Sequence, residues 1–150
     1  MELKLLTGEY NNSMDEKGRL SFPTKLRTEL NQNVLIVTAS YMDHCLQLFT
    51  TEEWEIIKGR LMASASPFNK KNLNVLRRFI APAQEVEFDK AGRLSIPQSL
   101  REYAGLTKDC TVLGIDRFIE VWDSEKYREY LASSEEEFAD AADELKDICF

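Results

Sequence analysis

Apolar residues along this chain fall at two spacings. Arg19-Leu-Ser-Phe22 alternates, as a half-buried strand does, and Val34-Leu-Ile-Val-Thr38 is an apolar run of strand length. Ser40-Tyr-Met-Asp43 reads as a turn, and His44 to Phe49 as the return strand of a hairpin. Leu26 and Leu30 lie one helical turn apart, so Thr24 to Leu30 is a short helix opened by Pro23. Thr50 with Glu53 makes a capping box for a second helix, with Trp54, Ile57 and Leu61 on one face. Ser66-Pro67 reads as N-cap and first residue of a linking helix. Its apolar side is Leu73, Leu76 and Ile80; Lys70, Lys71, Asn74, Arg77 and Arg78 fall on the other.

The same plan then recurs. Val86-Glu-Phe88 leads into a turn, Arg93 to Ile96 is a strand, Pro97 opens a helix through Leu100 to Ala104, and Gly105 closes it. Cys110 to Ile115 and Phe118 to Trp122 form a second hairpin. A final long helix starts near Asp123 or Ser124. Its apolar positions Tyr127, Leu131, Phe138, Ala141, Leu145 and Ile148 suit packing within the chain or against another subunit. With Gly8 to Met14 leading into the first turn as Val86 to Phe88 leads into the second, four short strands and two helices, given twice, predict a mainly β protein with helices, an α+β fold. Short strands with tight turns favour a small barrel or sandwich, and the absence of alternating strands and long helices argues against a Rossmann-type sheet.

The recurrence extends to residue identity. Asp15-Glu-Lys-Gly-Arg-Leu-Ser-Phe-Pro-Thr-Lys-Leu-Arg27 returns as Asp89-Lys-Ala-Gly-Arg-Leu-Ser-Ile-Pro-Gln-Ser-Leu-Arg101. Leu46 to Trp54 likewise resembles Ile119 to Tyr127. The organisation is a first repeat over 5–65, a linking helix over 66–80, a second repeat over 81–131 and an acidic C-terminal helix over 132–150. A unit of half this chain has a marginal core alone, so the two are expected to share one. A duplicated motif points to a repetitive or two-fold partner rather than one catalytic pocket.

Composition changes this picture little. Hydrophobic residues make up 43% and charged residues 30%, ordinary for a globular protein. No apolar run is long enough to span a membrane, and Met1-Glu-Leu-Lys-Leu-Leu6 is too short and polar for a secretory signal, so a cytoplasmic protein is expected. Cys45, Cys110 and Cys149 lack the spacing of a zinc site or disulfide framework; Cys45 and Cys110 read as small core residues. The net charge of −7 argues at first against nucleic acid. Most of it lies in the C-terminal helix, where Glu135, Glu136, Glu137, Asp140, Asp143, Glu144 and Asp147 face Lys146 alone. The rest of the chain is close to neutral, which leaves room for locally basic surfaces.

Gly8-Glu-Tyr, then Asp15-Glu-Lys-Gly-Arg-Leu-Ser-Phe-Pro23, then a second Asp-x-x-x-Arg at Asp89 and Arg93, resembles the MraZ family of the AbrB/SpoVT swapped-hairpin DNA-binding superfamily. The resemblance runs from about Leu5 to Leu131. It implies two tandem repeats interleaved into a pseudo-two-fold swapped-hairpin β-barrel with flanking helices, and a ring-like homo-oligomer. It also implies sequence-specific binding of double-stranded DNA at repeated sites near the protein's own promoter, at the head of the bacterial division and cell-wall gene cluster, often as a repressor. The implied location is the nucleoid; no cofactor is implied. The family's site falls on Asp15, Lys17 and Arg19, and on Asp89 and Arg93. The second copy departs from the pattern: Ala91 stands where lysine is expected, and Lys90 comes one residue early.

These residue types suit the task. Arginine pairs bidentately with phosphate or guanine. Gly18 and Gly92 let the backbone approach a groove closely. Asp15 and Asp89 carry the wrong charge for phosphate and are expected to hold the turn or orient the arginine. Lys17, Lys90, Lys25, Arg27 and Arg101 are candidates for positioning contacts; Arg27 and Arg101 equally fit a solvated helix face. The alternative function is an oligomeric interaction or scaffold protein acting through its acidic C-terminal helix. An enzyme is not expected. The only histidine, His44, precedes Cys45 in an expected strand, where neighbouring side chains point to opposite faces. No Gly-rich phosphate loop or metal-spaced cluster accompanies them.

Overall fold

A computed structural model describes residues 6–150. Leu5, the expected start of the first repeat, lies outside the described residues, as do Met1 to Leu5 of the segment weighed as a secretory signal. The first unit contains β1 (Leu6–Ser13), β2 (Arg19–Ser21), α1 (Thr24–Leu30), β3 (Val34–Ala39), β4 (Leu46–Phe49) and α2 (Thr51–Ser64). Helix α3 (Lys70–Val75) runs on into a π-helical turn, Leu76–Ile80. The second unit contains β5 (Gln84–Glu87), β6 (Arg93–Ser95), α4 (Gln98–Ala104), β7 (Asp109–Asp116), β8 (Phe118–Asp123) and α5 (Ser124–Ser133), followed by α6 (Glu135–Cys149).

The fold is the expected α+β arrangement of two repeats, and the pairing shows how they interleave. Six strands form a sheet in the order β1-β7-β8-β4-β3-β5, and β2 pairs with β6. Exchanging the units reverses this order onto itself. Each unit's first strand is given to the other: β1 pairs with β7 (Tyr10 opposite Val112) and β5 pairs with β3 (Val86 opposite Leu35), all antiparallel. Single bridges, Met14 to Leu20 and Phe88 to Leu94, join the pair to the sheet. The six-stranded sheet and the β2–β6 pair are thus joined by isolated bridges rather than continuous ladders.

One core serves both units. Leu20 and Leu94 face each other across β2–β6 and are fully buried among Leu26, Leu35, Leu48, Leu100, Val112 and Val121. Short strands alternate because only one face of each meets this core. A smaller aromatic cluster of Phe49, Trp54 and Phe79 fastens α2 and the π turn to β3 and β4. The Thr50 cap of α2 holds as read, its hydroxyl accepting from the Glu53 N–H at 3.2 Å.

Three elements differ from the sequence reading. The linking helix is capped by Asn69, not Ser66. The Asn69 Oδ1 accepts from the Lys71 and Asn72 amides at 2.9 and 3.1 Å, whereas Ser66 Oγ accepts only from Phe68 in a preceding turn. One carboxamide oxygen satisfies two of the helix's orphan amides, which decides the start. The helix then widens, with the Ala81 N–H reaching back to the Leu76 carbonyl at 2.9 Å. That turn carries Phe79 inward, and the Phe79 carbonyl accepts from the buried Thr38 hydroxyl at 2.6 Å. A strict 3.6-residue pattern through Leu73, Leu76 and Ile80 does not register such an inserted residue. His44 and Cys45 belong to the bend before β4 rather than to the strand. The final helix is two helices broken at Ser134, and Phe138, Leu145 and Ile148 of α6 are exposed rather than packed within the chain.

Candidate nucleic-acid interface

The two Asp-x-x-x-Arg segments fold into the same turn. Asp15 Oδ1 accepts from the Lys17 and Arg19 amides at 3.0 and 2.9 Å, and Oδ2 accepts from Arg19 Nε at 2.7 Å. Asp89 Oδ1 accepts from the Ala91 and Arg93 amides, both at 2.9 Å, and Oδ2 from Arg93 Nε at 2.9 Å. Gly18 and Gly92 occupy the left-handed region, φ 81° and 79°, where a side chain is strained. Position 17 or 91 contributes only its backbone N–H to the turn. The change from Lys17 to Ala91 therefore leaves the geometry intact and removes one exposed cation.

Each aspartate has two jobs that geometry separates: one oxygen ties the turn, the other aims the arginine. The hydrogen bonds hold both carboxyls below the ordinary aspartate range. The largest cause is the backbone N–H of Arg19 for Asp15 and of Arg93 for Asp89. Binding through Nε leaves the Arg19 Nη groups without a hydrogen-bond partner among the described residues. Arg93 Nη1 lies 3.7 Å from Asp15 Oδ2, so the first carboxylate also touches the second turn's arginine.

The turns meet because β2 and β6 pair. Arg19 is opposite Ser95 and Arg93 opposite Ser21, while Phe22 N–H donates to the Gly92 carbonyl at 3.3 Å and Ile96 N–H to the Gly18 carbonyl at 2.9 Å. Arg27 and Arg101 complete the group by crossing between units. The Arg27 guanidinium, from α1, covers Gly92 of the second turn; the Arg101 guanidinium, from α4, covers Gly18 of the first. Neither is in an ion pair among the described residues. Arg27 also lies over the Phe88 ring at 5.8 Å, a cation–π contact. Four guanidiniums thus gather about one pseudo-two-fold axis, and those of Arg19 and Arg93 pair with Asp15 and Asp89. Lys17, Lys25 and Lys90 are exposed around this group.

Sequence reasoning placed Arg27 and Arg101 on a helix but missed the crossing. Their matched places in the two repeats were the available signal. The His44 ring stacks on Tyr103, centroids 5.1 Å apart, and Cys45 is buried, its thiol pushed above the ordinary range by that burial. A protonated buried thiol is a poor nucleophile. No helix among the described residues is long and apolar enough to cross a membrane.

Comparison with known proteins agrees with the duplication. A family model described as "MraZ protein, putative antitoxin-like" matches twice, over residues 5–78 and 79–149. The chain is 49% identical over 145 residues to a protein of Treponema denticola named "Transcriptional regulator MraZ", covering 97% of this chain and 100% of that one. A protein of the same name from Treponema pallidum subsp. pallidum is 46% identical over 149 residues, 99% of each chain.

Proposed function

This chain belongs to the MraZ family, and on that premise we propose that it is a transcriptional regulator that binds double-stranded DNA through its paired Asp-x-x-x-Arg turns. The observation that carries the reading is the pairing itself. Two turns of the same geometry present Arg19 and Arg93 about one axis, flanked by the crossed Arg27 and Arg101. Arg19 and Arg93 read base edges or clamp phosphates with their Nη groups. Arg27, Arg101, Lys17, Lys25 and Lys90 set position on the backbone. Asp15 and Asp89 orient the arginines without touching the nucleic acid.

The targets we propose are repeated sites upstream of the protein's own gene, at the head of the division and cell-wall cluster. One turn pair binds weakly; a homo-oligomer, ring-like in form, aligns several pairs on successive repeats and gains by avidity. The acidic C-terminal helix disfavours nonspecific binding.

The test is fluorescence anisotropy on DNA from just upstream of the gene, against scrambled DNA, across a salt series. The expected result is specific binding that weakens with salt and requires more than one repeat. Arg19→Ala with Arg93→Ala should abolish the preference. Intact specificity in that double variant would overturn the site assignment.

A further inference from the structure

We infer that the recess between the end of α1 and the second Asp-x-x-x-Arg turn seats one backbone phosphate of the bound DNA, and that its counterpart beside the first turn does not, so the two strands are gripped unequally. This rests on the DNA-binding reading above and assigns it a positioning site. The recess, about 490 Å³, is lined by Arg27, Asn31, Gln32, Asn33, Asp89 and Lys90, among others. Neither Arg27 nor Lys90 is in an ion pair among the described residues. Asp89 is occupied: its oxygens accept from the Ala91 and Arg93 amides and from Arg93 Nε, all at 2.9 Å. Two further acids are held by lining carboxamides. Gln32 Nε2 donates to Glu52 Oε2 at 2.8 Å, and Asn33 Nδ2 to Glu87 Oε1 at 3.2 Å. Two uncommitted cations and the Asn31 carboxamide therefore remain for an anion. Arg27 also sits in the last turn of α1, where it offsets the helix's carbonyl end.

The place of the recess selects the phosphate. The major groove of B-DNA is about 12 Å wide. A turn pair entering it brings the flanks of the axis against the sugar-phosphate backbone on each side, where contacts set position rather than read bases. The shifted lysine belongs to this seat. Glu16-Lys17 of the first turn is matched by Lys90-Ala91 of the second. The cation thus moves from position 91 to position 90, which lines the recess. The matched recess on the other flank is lined by Gln98, Arg101, Glu102, Gly105 and Leu106, among others. Glu102 stands where the first unit has Thr28, and Gly105 where it has Asn31. The Asn33 carbonyl accepts from the Phe88 N–H at 2.9 Å and the Lys108 carbonyl from the Met14 N–H at 2.8 Å, which matches Lys108 to Asn33. Arg27, Thr28, Asn33 and Lys90 therefore total +2, whereas Arg101, Glu102, Lys108 and Glu16 total zero. Glu87, held by Asn33, still leaves the Lys90 flank positive.

The test is fluorescence anisotropy of the full-length chain on a duplex from just upstream of its gene, across a salt series. Lys90→Ala should weaken binding and lower the salt slope by about one, the signature of a lost phosphate contact. Glu16→Ala, at the matched place, should lose neither affinity nor slope. Both positions are exposed, so thermal melts should match the parent. The same duplex is then scanned with single neutral methylphosphonates. One substitution, on one strand of a repeat, should weaken the parent and leave Lys90→Ala unchanged. A Lys90→Ala chain that keeps the parent's affinity and slope would overturn the seat and leave the DNA reading standing. Coupling at matched positions on both strands would overturn the unequal grip. A parent chain with no preference for this duplex over scrambled DNA would overturn both the seat and the reading beneath it.

Discussion

Gly18 and Gly92 are the residues on which the paired turns depend, for two reasons that act together. Their φ values near +80° cost an L-residue about 1–2 kcal/mol, and a Cβ at either position would overlap the guanidinium of the opposite unit. Gly18→Ala or Gly92→Ala should therefore lower stability by at least ~1 kcal/mol in urea unfolding. It should also displace Arg101 or Arg27 and weaken DNA binding in the anisotropy assay. An unchanged midpoint would mean the turn relaxes without strain. The aspartates give a pH signature. Their carboxyls titrate below the ordinary value of about 3.9 when folded, so the folded state favours the ionised form. Their contribution is present above that value and is lost as the pH falls through the depressed folded values. Carboxyl carbon titration by NMR should place Asp15 and Asp89 below the ordinary aspartate value of about 3.9. Titration at that ordinary value would show that the turn hydrogen bonds do not persist in solution.

At the scale of the element, α3 separates what sequence pattern encodes from what it leaves out. The strands, α1, α2 and α4 were legible because each has a local marker: alternation around Leu20 and Leu94, Pro23 and Pro97 at helix starts, Thr50 as a cap. The cap of α3 was misread because Ser66-Pro67 offers an equally good local signal and only geometry shows Asn69 holding two amides. Asn69→Ala should cost about 1 kcal/mol, the usual worth of an N-cap, and Ser66→Ala much less. Equal losses in thermal or urea unfolding would return the cap to Ser66. The π turn was invisible for a different reason. Its driving contacts, Phe79 against Phe49 and Trp54 and its carbonyl on Thr38, are all made across the fold. Phe79→Ala should lose about 3–5 kcal/mol, the range for a buried aromatic, with α2 loosening first in hydrogen exchange. The turn chemistry of Asp15 and Asp89 was read correctly, whereas the crossing of Arg27 and Arg101 depends on strand exchange that no local window contains.

For the whole molecule, that exchange determines what can fold. A fragment ending near residue 80 keeps only the β3–β4 ladder; β1 loses β7, β2 loses β6, and β3 loses β5. Leu20 would lose Leu94, the side chain it faces across the pseudo-axis. Since the two units share one core, the fragment has no stable monomer. The repeats are alike enough, however, for two copies to replace one another. In such a dimer β1 pairs with β3 of the other copy, as β1 pairs with β7 here, and the two β2 strands pair about a true two-fold axis. The first half alone should therefore fold only as a homodimer, its stability rising with concentration as mass action requires. Circular dichroism melts at several concentrations, read beside sedimentation, distinguish the outcomes. A folded monomeric half would mean that each unit owns its core and that the exchanged strands are dispensable. The dimeric half would carry two Asp15–Arg19 turns in place of one of each kind, and would add a Lys17 where the full chain has Ala91. DNA binding by that dimer would then measure directly what the second repeat's missing lysine is worth.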